Sequence, residues 1–117
     1  IEHQLGAYTD CNHGQGLAVI HPILYRHIYK DGAERFARFA KNVWGIEDKK
    51  STEKTALAGI EALADFIKEI GLPTNFTQMG IPTDTDFRAV ADSTNITTGC
   101  CKKLSHDEIY EILKECI

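Results

Sequence analysis

Ser51-Thr52-Glu53-Lys54-Thr55-Ala56-Leu57-Ala58-Gly59-Ile60-Glu61-Ala62-Leu63-Ala64-Asp65-Phe66-Ile67-Lys68-Glu69-Ile70-Gly71-Leu72-Pro73 is the most legible stretch of the chain. Ala56, Ile60, Leu63, Ile67 and Ile70 recur at intervals of three and four, the period of one face of an α-helix. Leu57, Ala64 and Phe66 widen that face, and the spacing predicts a helix from Ser51 to Ile70. Its end is marked three times over. Gly71 suits the left-handed position after the last turn, Leu72 closes the hydrophobic contact, and Pro73 forbids continuation.

The same period extends in both directions. Leu17 to Lys30 carries Leu17, Ile20, Leu24 and Ile28 on one stripe, after a loop opened by Gly14-Gln15-Gly16, and Asp31-Gly32 stops it. Ala33 to Trp44 presents Phe36, Phe39, Ala40 and Val43, leaving Arg35, Arg38 and Lys41 as a solvated basic surface. Thr74 to Pro82 reads as a loop. Thr83 with Asp86 forms a capping pair ahead of Phe87, Val90 and Ala91. Asp92 to Lys103 is polar and irregular. Ser105 with Glu108 forms a second capping pair, with Leu104 stapled to Ile109, and its helix continues through Ile112, Leu113 and Cys116. Ile1 to Tyr8 looks like the rear half of a helix with no cap before it, so a piece of a larger protein is expected. No segment shows the alternation of a strand. The expected fold class is all-α and multihelical.

Composition agrees with a single folded domain over residues 1–117. The chain is 43% hydrophobic and 26% charged, with 3 Pro and 9 Gly. A chain of this length buries roughly two-thirds of its unfolded surface, enough for a core. Thirteen basic against seventeen acidic side chains give a net charge of -4, which argues against nucleic acid or an anionic membrane as partner. No apolar run nears the roughly 20 residues of a membrane span; the best, Leu17 to Tyr25, contains His21 and Pro22. The four cysteines form no C-x-x-C pair and read as reduced thiols of a cytoplasmic protein. The acceptor patterns Asn75-Phe76-Thr77 and Asn95-Ile96-Thr97 are expected to be accidental, since no secretory signal is read in these residues.

Five histidines stand at positions 3, 13, 21, 27 and 106. His21 and His27 are six residues apart, about 240° around a helix, and cannot share one face. His106 is explained by a place in the first turn of the last helix. His13 stands at the mouth of a helix beside Gly14 and Gly16. The positive helix end there disfavours imidazolium and keeps the ring in the neutral form that binds metal or accepts a proton. One ligand does not make a site, and no other residue has evident ligand spacing to His13. Composition and spacing alone therefore imply an all-helical soluble domain.

The run His3-Gln4-Leu5-Gly6-Ala7-Tyr8, the nine residues between His3 and His13, and His13-Gly14-Gln15-Gly16-Leu17-Ala18-Val19-Ile20 resemble the C-terminal signature of the iron-containing alcohol dehydrogenases, nearest their butanol-dehydrogenase branch. The resemblance continues through His21-Pro22, Phe36-Ala37, Trp44-Gly45, Gly59 to Leu63, Ile70 to Pro73, Met79-Gly80-Ile81 and Leu104 to Ile109. It implies the helical C-terminal domain of the fold shared with dehydroquinate synthase. In that family an N-terminal Rossmann-like domain binds NADH or NADPH, and a metal, iron or zinc, polarises the oxygen of an alcohol or aldehyde during hydride transfer. The resemblance makes His13 a metal ligand. It places His3 near the nicotinamide and substrate, in proton relay or positioning. The family's first histidine would fall two places upstream of Ile1, and its further ligands and its Gly-rich dinucleotide segment earlier still.

This piece alone is therefore expected to be inactive and to hold metal weakly. The surface around His3 and His13 should be unusually exposed, and loss of a partner domain favours self-association as a homodimer. The segment Thr94 to Gly99 is expected near the substrate. Glycerol dehydrogenases and maleylacetate reductases would share the domain and differ in substrate, and the His3–His13 segment favours the alcohol-dehydrogenase branch. A stand-alone helical binding module predicts substitution-tolerant His3 and His13. A small metal-sensing protein would need a further ligand.

Overall fold

Among the described residues, four of the six helices begin where a short polar side chain takes up a free backbone N–H of the first turn. In the computed structural model, which describes residues 1–47, 51–96 and 101–117, the helices are α1 (Glu2–Thr9), α2 (His13–Ile28), α3 (Ala33–Trp44), α4 (Thr52–Glu69), α5 (Phe87–Ser93) and α6 (His106–Glu115). Asn12 caps α2 by accepting from the Gln15 N–H, and Ser51 caps α4 by accepting from Lys54. Asp86 caps α5 through Ala89. Ser105 and Glu108 form a reciprocal capping box on α6. Ile1 gives α1 no side-chain cap. A 3₁₀ turn, Tyr29–Gly32, joins α2 to α3. No strand occurs among the described residues, and no helix is long and apolar enough to cross a membrane.

The helices pack in two groups. Leu5 of α1, Val19 and Ile20 of α2, Phe87, Val90 and Ala91 of α5, and Ile109, Leu113 and Cys116 of α6 and its end form one buried cluster. Phe76, outside any helix, completes it: it is 1% exposed, stacks on Phe87 at 5.6 Å and donates its backbone N–H to the Cys116 carbonyl at 2.6 Å. In the second group α3 lies against α4, which also touches α2. Gly59 permits this closeness, because a Cβ there would sit 2.6 Å from the Ala40 Cβ and 2.9 Å from its Cα.

Several expectations shift. The Gly14-Gln15-Gly16 loop is the first turn of α2, which starts at His13 and runs through Pro22. Asn12, as its cap, places the start four residues earlier than the apolar stripe indicates. The buried line of α3 is Ala37 and Ala40, and Val43 is exposed. On α4, Thr55 and Gly59 join Ala56, Ile60 and Ile67 in burial, whereas Phe66 and Ile70 face solvent. Close helix approach selects small residues over the largest apolar ones. At α5 the cap is Asp86 rather than Thr83. Gly71 does take the left-handed conformation, at φ 84°. Of the stretch expected to be irregular, Asp92 and Ser93 finish α5. Residues 97–100, including Cys100 and the acceptor Thr97, lie outside the described residues.

Candidate active site

α1 turns off through Asp10, a non-glycine residue at φ 53° whose N–H returns to the Gly6 carbonyl at 2.8 Å. The link Asp10–Asn12 then carries the chain back, so that the first residue of α2 meets the first turn of α1. Two positive helix ends converge there, and both favour a neighbouring carboxylate.

Glu2 is that carboxylate. It is 7% exposed, and its Oε2 accepts a hydrogen bond from Nδ1 of His13. His13 is the first helical residue of α2, and its side chain is 62% exposed. His3, one position beyond Glu2, is also exposed, and its ring stacks on His13 at 5.8 Å between centroids. Donor atoms of Glu2, His3 and His13 lie within 4.8 Å of one another. The expectation that nothing else reaches His13 is thus corrected: the fold, not the spacing along the chain, brings Glu2 and His3 to it. The exposed His13 imidazole is a nitrogen donor that suits iron or zinc, with the Glu2 carboxylate hydrogen-bonded behind it, so the donor chemistry fits the metal that the resemblance implies.

These residues border an open cleft of about 200 Å³, floored by Leu17, Ile20 and Leu24. His21 lines it too, and spacing alone had given His21 no site. Its ring lies nearly parallel to Tyr25 at 5.3 Å, and burial lowers its pKa from 6.5 while raising that of the Tyr25 hydroxyl. The remaining histidines are used in packing. His27 pairs with Glu115, tying α2 to α6, and Nε2 of His106 bonds the Thr94 carbonyl at 2.9 Å. Thr94, Asn95 and Ile96 line an adjoining cavity of about 210 Å³ that shares Ile1 and Leu24 with the cleft. The rest of the segment expected near the substrate, residues 97–99, lies outside the described residues.

Residues 1–117 match the family model described as Fe-containing alcohol dehydrogenase family, C-terminal. The chain belongs to that family. It is 30% identical to NADH-dependent butanol dehydrogenase A of Clostridium acetobutylicum over 120 residues, covering 98% of this chain and 31% of the relative. The crystal structure of NADH-dependent butanol dehydrogenase A from Thermotoga maritima superposes with a TM-score of 0.84 at 32% identity, over 98% of this chain and 31% of that one. A 1,3-propanediol oxidoreductase structure superposes at 0.88 with 28% identity, over 99% of this chain and 31% of that one. The chain therefore spans about a third of the length of these family members, as their helical C-terminal domain, and the all-α expectation stands. Within the family fold, the first turns of α1 and α2 form the histidine cleft.

Proposed function

We propose that this chain is the helical part of an NAD(P)-dependent alcohol dehydrogenase that interconverts small primary alcohols and their aldehydes by hydride transfer. The observation that carries the reading is the stacked pair His3–His13 on an open cleft, with a buried carboxylate behind His13. His13 holds the metal, iron or zinc. When bound, that ion supplies Lewis acidity toward the substrate oxygen. His3 lines the cleft beside the nicotinamide and moves the hydroxyl proton or positions the substrate. Leu17, Ile20 and Leu24 give the substrate's carbon end an apolar wall. NADH or NADPH is bound mainly by a nucleotide-binding part outside these 117 residues, so the isolated chain is inactive. A cytoplasmic location and a homodimer go with this reading.

The test uses the full-length gene product with butanal and reduced nicotinamide cofactor. His13→Ala is expected to lose bound metal and turnover together. His3→Ala should keep the metal and lose roughly 10²–10⁴ in rate, the usual worth of a positioned proton-transfer group. Full metal content in His13→Ala would overturn the assignment.

A further inference from the structure

We propose that Glu2 is a positioning residue: its buried carboxylate fixes the His13 ring through Nδ1, so that Nε2 is the nitrogen presented to the metal. The inference rests on the reading of His13 as a ligand and adds a residue to that site.

An ionised carboxylate only accepts hydrogen bonds, so contact with Glu2 Oε2 places the His13 ring proton on Nδ1. Nε2 is left with its lone pair, on a ring that is 62% exposed and lines the cleft. Glu2 itself is sealed at 7% exposure. A carboxylate is costly to bury unless paired, and here it is paired with His13 beside two positive helix ends.

The close fit of α1 to α2 is built around this side chain. A Cβ on Gly16 would lie 3.0 Å from both Cγ and Oε1 of Glu2, and one on Gly6 would lie 3.8 Å from Oε1. The two glycines leave the carboxylate its room beside α2. With Oε2 engaged by His13 and Oε1 packed against α2, Glu2 acts behind the imidazole rather than as a direct ligand. Carboxylate, histidine and metal in series is a recurring arrangement that fixes ring orientation and raises ligand basicity, and its loss costs roughly 10–100-fold in metal affinity.

The experiment titrates the metal-stripped full-length gene product with Zn²⁺ against a chromophoric chelator. Glu2→Gln keeps the shape and hydrogen-bonding reach of the side chain and removes its charge. We expect its zinc affinity to fall at least about tenfold, with an unchanged melting temperature. A merely structural Glu2 would leave affinity at the wild-type level, and that result overturns the proposal. His13→Ala separates the two ideas. Loss of zinc there with no effect of Glu2→Gln sinks only the positioning role. Undiminished zinc in His13→Ala, or no zinc uptake by the wild type, sinks the metal-centre reading and this inference with it. A second readout does not depend on metal or on the variants folding. Nitrogen-15 NMR of the metal-free wild type above the imidazole titration should show His13 protonated at Nδ1. Protonation at Nε2 overturns the proposal.

Discussion

His21 illustrates how one residue's environment sets its chemistry. Half buried in α2 and stacked on Tyr25, it loses hydration that only the charged form needs, so its pKa falls below 6.5. The native state therefore binds fewer protons than the unfolded chain between that lowered value and 6.5. Stability is full above about pH 6.5 and declines as pH falls toward the folded-state pKa, a dependence that His21→Gln should remove. A proton NMR titration checks the origin directly: the His21 ring should titrate below 6.5, and a midpoint above it would contradict the burial argument. The sequence marked His13 through the glycines after it, and the family resemblance marked His3. Both passed over Glu2, which stands next to His3 in plain view. An acidic residue in a first turn is ordinary, and only the return of α2 reveals its histidine partner.

At the scale of elements, ends were more legible than faces. The Ser105–Glu108 box and the left-handed Gly71 are encoded within a few residues, and both occur as read. The inward faces of α3 and α4 depend on how closely the two helices cross. Ala37, Ala40, Ala56 and Gly59 occupy that crossing, while Val43 and Ile70 point outward. A hydrophobicity pattern ranks the larger side chains first, so it misplaces an interface made of small ones. Gly59→Ala tests the crossing. Helix propensity alone would make it stabilising by about 1 kcal/mol. The added methyl would meet Ala40 at 2.6 Å, and overpacking of this kind costs about 1–3 kcal/mol. Thermal melts should show a lower Tm, and a rise would mean that α3 shifts freely.

Across the whole molecule, the extents of 41 × 33 × 17 Å describe a slab rather than a sphere. Its radius of gyration of 14.6 Å exceeds the roughly 13 Å typical of this length. Phe76 anchors the non-helical stretch between α4 and α5, since it sits in the core beside Phe87 and the end of α6. Phe76→Ala is expected to cost about 3–5 kcal/mol, as for other buried aromatics. Urea unfolding should show this as a lower midpoint of a single transition. A separate early transition would mean that this stretch unfolds apart from the helices.

Local signals determined a great deal by themselves. Helical period, caps and terminators act over three to eight residues, so six helices and the absence of strand alternation were readable before any tertiary contact. The His3–His13 spacing carried the family resemblance. Tertiary structure alone decided what those helices meet. It brought Glu2 behind His13, placed His21 on the same cleft, chose small residues for the α3–α4 contact and drew Phe76 into the core. The reason is physical: periodicity states which way a side chain points from its own axis, whereas partners follow from how the axes cross, and that is settled only when the helices pack together.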